Sequence, residues 1–199
     1  CDFGCSYCII PSVRGASRSI PARVVIRQIE KLAENGFEEF VFTGTNVGSY
    51  RDGDISLAKL LSSIERLGLA KRLRMGSVEP SQITDEFLET VSGGIFAKQL
   101  HIAIQHSSNK MLKAMNRQNR YEDDLALFDK LSKLGFAIGT DYIVGFPGES
   151  DEIWEEALKN IKAMPLTHIH PFIYSKRDFT PAATLKADVN GAIAKERLH

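Results

Sequence analysis

No cysteine follows position 8 in this chain of 199 residues. The three that are present form an odd set and cannot build a paired disulfide framework, which excludes a disulfide-stapled fold. A charge surplus is also missing. The 25 basic residues are matched by 25 acidic ones, so no global basic field gathers a polyanion, and any RNA contact must come from a local patch. No apolar run reaches membrane-spanning length and no signal peptide is read ahead of Cys1, so no membrane partner is expected. Internal repeats and low-complexity tracts are absent. The chain does not start on methionine, and one that opens on Cys1 reads as an excised domain. What remains is ordinary for a globular protein: 43% hydrophobic and 25% charged residues, enough for one α/β domain with a proper core.

The cysteines that do occur are crowded into Cys1-Asp2-Phe3-Gly4-Cys5-Ser6-Tyr7-Cys8, spaced C-x3-C-x2-C. Thiolates are soft ligands, and this spacing lets one short loop wrap a single metal centre. Three ligands are one short of a closed tetrahedral zinc site. An iron–sulfur cluster has several irons, so three cysteines hold three of them and leave one open to a small molecule. The alternative is zinc completed by a distant histidine, drawn from His101, His106, His168, His170 and His199. Clustered unpaired thiols suit a reducing compartment, so a cytoplasmic location is expected.

Along the chain, strands and helices alternate. Ser19-Ile20-Pro21 is expected to cap and open a helix carrying Val25, Ile29 and Leu32, which Asn35-Gly36 ends. Strands are expected at 39–43, 72–76, 99–104, 137–144 and 168–174. Leu57 to Ile64 marks a helix stopped near Gly68, and Thr84 caps another carrying Phe87, Leu88 and Val91. A short helix around Met111 to Met115 precedes one on which Leu127, Leu131 and Leu134 share a face, and the helix from Asp151 is expected to turn Trp154, Leu158 and Ile161 inward. This alternation implies a parallel sheet with crossover helices. Each strand runs into a polar or glycine-rich segment, and in parallel α/β barrels the carboxyl ends of the strands converge on one pocket.

Cys1 to Cys8, with Ile9-Ile10-Pro11, Arg14-Gly15 and Arg18-Ser19 after it, resembles the cluster loop of radical S-adenosylmethionine (SAM) enzymes, in the methylthiotransferase branch of that superfamily. The resemblance implies an α/β fold of the partial (β/α)6 TIM-type barrel kind, with its first strand lying before Cys1. It implies a [4Fe–4S] cluster on Cys1, Cys5 and Cys8, with SAM chelated to the open iron and cleaved to a deoxyadenosyl radical. Tyr7 would lie against the adenine. Phe42-Thr43-Gly44-Thr45-Asn46 falls where the family binds the methionine amino group, which makes Gly44, Thr45 and Asn46 candidate contacts. Ser77 and Glu79 fall where ribose or methionine is met, and Gln105 where a glutamine faces the SAM pocket. Asp141 to Glu149, with Gly145 inside it, resembles the segment that passes the adenine, and Phe172, Tyr174 and Ser175 would close the pocket.

Three branches of the family modify isopentenyladenosine in tRNA, threonylcarbamoyladenosine in tRNA, or an aspartate of a ribosomal protein. Gly44-Thr45-Asn46-Val47-Gly48-Ser49-Tyr50 and Tyr174-Ser175-Lys176-Arg177 are most similar to the threonylcarbamoyladenosine branch, although Phe179 stands where a glycine is expected. The implied reaction adds a methylthio group to C2 of the modified adenosine beside the anticodon. Its implied partners are the tRNA anticodon stem-loop and an electron donor such as a flavodoxin or ferredoxin. Residues 1–184 are expected to form the radical SAM core and 185–199 to begin a linker towards a carboxyl-terminal RNA-binding domain. A further amino-terminal domain would carry a second [4Fe–4S] cluster. The non-enzyme alternative is a zinc-stabilised binding module. Arg14, Arg18, Arg23 and Arg27 are either a phosphate-binding patch or a solvated basic face, and His106 is read as a hydrogen-bonded structural histidine.

Overall fold

Helix starts and stops follow the capping chemistry of the sequence in a computed structural model that describes residues 1–186 and 188–198. Ala187 and His199, the latter among the histidines considered for zinc, lie outside the described residues. In chain order the elements are α1 (Ile10–Arg14), α2 (Ala22–Glu34), β1 (Glu39–Phe42), β2 (Arg51–Asp52), β3 (Ile55–Ser56), α3 (Leu57–Leu67), β4 (Arg72–Met75) and α4 (Asp85–Val91). They continue with β5 (Gln99–His101), α5 (Asn109–Ala114), α6 (Tyr121–Lys133), β6 (Ala137–Val144), α7 (Asp151–Ala163), β7 (His168–Ile173) and α8 (Gly191–Leu198). The chain clusters into two units, Ser17–His101 on one side and Cys1–Ala16 with Ile102–His199 on the other. No helix among the described residues is long and apolar enough to cross a membrane.

In the unit of residues 17–101, β1 and β4 pair in parallel with Glu39 opposite Arg72 and Phe42 opposite Met75. Helix α3, which packs on α4, buries Leu60, Leu61 and Ile64, all at most 1% exposed. The Ser56 hydroxyl accepts from Lys59 N–H at its start, and Gly68 closes its end at φ +65°, where a Cβ would be strained. Thr84 caps α4 by accepting from Phe87 N–H. Helix α2 begins later than expected. Ser19 does not cap it; its hydroxyl accepts from Arg51 N–H at 3.0 Å, and the first helical amide, that of Ala22, donates to Asp52 Oδ2 at 2.8 Å. The cap therefore comes from the β2–β3 hairpin, an element with no counterpart in the sequence reading.

In the other unit, β6 and β7 pair in parallel, with Gly139 opposite His168 and Val144 opposite Ile173. The expected strand at 99–104 does not continue beyond His101. The Thr140 hydroxyl donates to the Ile102 carbonyl at 2.6 Å and accepts from Ile104 N–H at 3.2 Å, so a side chain replaces regular ladder bonds. Pairing resumes at Gln105, whose N–H donates to Asp141 O and whose carbonyl accepts from Ile143 N–H. The buried face of α7 is Ile153 and Ala157, not Trp154, Leu158 and Ile161, which are half-buried. Likewise α6 buries Phe128 and Leu131, whereas Leu134 is largely exposed. Residues 185–199, the expected linker, include α8, which packs on β6 and β7.

Phe179 occupies the left-handed region at φ +65° with its ring 96% exposed. Only glycine adopts that conformation without a steric penalty, which explains why a glycine is expected at this position. Phe179→Gly is therefore expected to stabilise the chain by about 0.5–1 kcal/mol, the relief of strain less the added entropy of the unfolded state. A thermal melt of the two proteins checks it.

Candidate active site

The cysteine loop is fastened to the end of α5. Ser6 N–H donates to Met115 O at 2.9 Å and the Ser6 hydroxyl to Ala114 O at 2.9 Å, using carbonyls that a helix end leaves free. Asn116, itself at φ +54°, donates from its side-chain amide to Gly4 O at 2.6 Å. Ala182 N–H donates to Ser6 O from the other side at 2.8 Å. Within the loop Cys8 N–H turns back to Cys5 O. The result is a braced turn that carries three half-exposed cysteines outside any disulfide.

Arg117 reaches this loop from below. Its Nη1 donates to Cys5 Sγ at 3.7 Å, its Nη2 to the Ala103 carbonyl and its Nε to Asn119 Oδ1 at 3.0 Å. Asn119 in turn donates to Asp124 Oδ2 at 2.6 Å and to Ile104 O. A buried guanidinium with its donors so directed offers positive charge to a thiolate at Cys5. Sequence reasoning passed over Arg117 and Asn116; the signal available was the polar run Asn116-Arg117-Gln118-Asn119-Arg120 directly after a short apolar helix.

Beside the loop lies a cavity of about 370 Å³ lined by Tyr7, Gln105, Asp141, Phe172, Tyr174 and Arg177, with Ile143, Ile173 and Ser175. Six residues singled out from the sequence, Tyr7, Gln105, Asp141, Phe172, Tyr174 and Ser175, thus meet in one place. Gln105 holds φ +69°, a strained conformation fixed by its backbone bonds to β6. Tyr7 packs edge-on against Phe146 at 6.4 Å, and Phe146 against Tyr174 at 5.0 Å, so the tyrosine both packs and lines the cavity. The Tyr174 hydroxyl is buried without a hydrogen-bond partner among the described residues. Burial pushes its pKa above the ordinary phenol range, so at neutral pH it is a neutral donor awaiting an acceptor. Asp141 Oδ1 stands 3.8 Å from His170 Nδ1. Gly145, the remaining candidate in this unit, begins the loop after β6 at φ +72°.

Gly44, Thr45, Asn46, Ser77 and Glu79 lie in the unit of residues 17–101. Gly44 and Thr45 are exposed and Asn46 half-buried in the turn after β1, where Ser49 donates to the Asn46 carbonyl. Ser77 is exposed after β4. The Glu79 carboxylate caps the short turn at 80–82 while its own N–H donates to Gln82 Oε1, a local structural task. Arg14, Arg18, Arg23 and Arg27 are all exposed, as a solvated face or a phosphate patch would each require. His106 is fully buried, accepts from Ser108 N–H through Nδ1 and stands 3.3 Å from Glu149 Oε2, as a structural histidine should.

Comparison with known proteins fits this geometry. Residues 1–161 match the family profile described as "Radical SAM superfamily". A "Putative methylthiotransferase" of Helicobacter pylori (strain J99 / ATCC 700824) is 50% identical over 200 residues, which cover 100% of this chain and 48% of that protein. "Threonylcarbamoyladenosine tRNA methylthiotransferase MtaB" of Bacillus subtilis (strain 168) is 40% identical, over 100% of this chain and 46% of that protein. "tRNA-2-methylthio-N(6)-dimethylallyladenosine synthase" of Thermoanaerobacter pseudethanolicus (strain ATCC 33223 / 39E) is 37% identical, over 100% and 43%. The chain thus spans about half the length of the curated relatives it matches. Among solved structures, the radical S-adenosylmethionine methyltransferase TsrM from Kitasatospora setae, solved with cobalamin and a [4Fe-4S] cluster bound, superposes with a TM-score of 0.74 at 19% identity, over 92% of this chain and 37% of that one, which shows a shared fold. The chain belongs to the Radical SAM superfamily.

Proposed function

We propose that this chain is the radical SAM core of a tRNA methylthiotransferase that places a methylthio group on C2 of threonylcarbamoyladenosine beside the anticodon. The observation that carries this reading is the braced loop of three half-exposed cysteines opening beside a cavity that gathers Tyr7, Gln105, Asp141 and Phe172. The donor set fits a [4Fe–4S] cluster: three half-exposed thiols in one turn, with a guanidinium directed at Cys5. When bound, the cluster and SAM supply one-electron reducing chemistry, which is the cofactors' own.

The chain's residues have the remaining tasks. Cys1, Cys5 and Cys8 hold three irons. Tyr7 and Phe172 offer ring faces to the adenine, and Gln105 offers an amide to the polar edge of the ligand. The unpartnered Tyr174 hydroxyl donates into the cavity, and Asp141 accepts from a hydroxyl or amine. Gly44, Thr45, Asn46, Ser77 and Glu79 complete the contacts to the methionine and ribose. The strands form a partial (β/α)6 barrel, with residues 1–184 as the core. The substrate assignment leans on the 40%-identical threonylcarbamoyladenosine relative together with the Gly44–Tyr50 and Tyr174–Arg177 resemblances. tRNA, a flavodoxin-like or ferredoxin-like electron donor, a second cluster outside this chain and a cytoplasmic setting belong to the same proposal.

The test is a nucleoside analysis of tRNA from cells deleted for the protein. Threonylcarbamoyladenosine should lose its methylthio group and isopentenyladenosine should keep its own. The reverse pattern, towards which the 37%-identical dimethylallyladenosine synthase leans, would move the substrate assignment to that branch. Unchanged tRNA would reject both.

A further inference from the structure

Glu149 ends the loop that Gly145 begins, and its side chain is fully buried. A carboxylate deprived of water must be satisfied from within. Gly145 N–H lies 3.1 Å from each of its oxygens, across the loop. From α8, Arg197 Nη1 donates to Glu149 Oε1 at 2.6 Å and to the Glu149 carbonyl at 3.0 Å. Nη2 of the same guanidinium donates to Asp151 Oδ1 at the start of α7, and the group sits 5.4 Å from the centre of the Trp154 ring. Arg197 is itself only 4% exposed along its side chain. One planar fork thus serves two carboxylates and a carbonyl, a geometry that a lysine cannot reproduce.

Two further contacts tie the same loop to the carboxyl-terminal segment without involving that charge. A Cβ on Gly145 would come within 2.8 Å of Ala194 Cβ, so α8 rests directly on the loop backbone. Gly148 N–H donates to Asp188 Oδ1 at 2.8 Å. The loop is thereby held at its first, fourth and fifth residues by a segment that contributes nothing to the cavity lining.

We propose that Arg197 is a positioning residue: through the buried pair with Glu149, α8 sets the conformation of the 145–149 loop and so the affinity of the site for the adenosine half of SAM. This rests on the proposed function and on the resemblance of Asp141 to Glu149 to the segment that passes the adenine; the loop reaches the cavity through Phe146, which packs against the lining residues Tyr7 and Tyr174. A pair that only holds the fold together would affect every property of the chain alike. A positioning pair affects the nucleoside end of the ligand selectively.

Two variants separate these outcomes in the full chain. Arg197→Lys keeps the charge and loses the fork. The double variant Glu149→Gln with Arg197→Met removes both buried charges and leaves a side-chain amide oxygen at position 149 to accept from Gly145 N–H. In the iron-free chain, amide exchange at 145–149 should accelerate in both variants while exchange elsewhere stays at the parent's rate. In the reconstituted chain, affinity for SAM and for 5′-deoxyadenosine should fall about 3- to 30-fold, the range over which packed side-chain networks bias a distant site. Methionine binding and iron content should hold. Unchanged exchange at 145–149, faster exchange throughout the chain, or an equal loss of methionine and nucleoside affinity would each overturn the inference. A parent protein that holds iron yet binds no SAM would reject the proposed function, and this inference with it.

Discussion

Cys5→Ala is expected to abolish cluster loading. Anaerobic reconstitution of the parent should incorporate about four irons and four sulfides per chain, and the variant close to none, because two remaining thiolates cannot anchor a cubane with an open iron. Cys5 is the most informative of the three. It sits inside the braced turn, its carbonyl accepts from Cys8 N–H, and its sulfur accepts from Arg117. Loss of metal in the variant with an unchanged melt of the iron-free protein would locate the effect in ligation and not in folding. Stoichiometric zinc in place of iron in the parent would return the loop to the zinc-stabilised reading.

The second large effect is expected from Arg117→Leu. The residue is 6% exposed, and its guanidinium donates to Cys5 Sγ, Asn119 Oδ1 and the Ala103 carbonyl. Removing it strands the acceptors on Ala103 and Asn119, both buried, and hydrogen bonds involving a charged group contribute about 1.5–3 kcal/mol each. A destabilisation of about 2–4 kcal/mol is expected on those grounds. The thiolate at Cys5 would lose its nearby positive charge at the same time, so the iron retained after gel filtration should drop further than the melt alone predicts. Arg117→Lys restores charge without the fork and should recover part of the stability and less of the iron. A variant that melts and holds iron like the parent would show that the bond to Cys5 has no consequence.

Local chemistry was legible before the structure; long-range chemistry was not. The Thr84 cap, the stop at Gly68 and the parallel strands β1, β4, β6 and β7 follow from residues within a few positions of each feature. The cap of α2 did not, because Asp52 lies 30 residues from the amide it accepts from. The brace on the cysteine loop escaped for the same reason: Asn116 meets Gly4 across 112 residues. Helix α7 failed differently. Ile153, Trp154, Ala157, Leu158 and Ile161 form an apolar arc wider than one face, and periodicity cannot say which half turns inward. The strand after His101 breaks because the Thr140 hydroxyl competes for its ladder, a substitution invisible until the two segments are adjacent. At the site, Tyr7, Gln105, Asp141 and Phe172 were legible through resemblance, and their shared cavity became visible only in three dimensions.

SAM affinity, measured by equilibrium binding on the same preparation with and without its cluster, tests the central claim most directly. If three cysteines hold a cluster whose open iron takes part in binding, SAM should bind the reconstituted chain and be scarcely retained by the iron-free one, since the cavity alone offers only Tyr7, Gln105, Asp141, Phe172 and their neighbours as contacts. Equal affinity in the two states would contradict a radical SAM site at this loop.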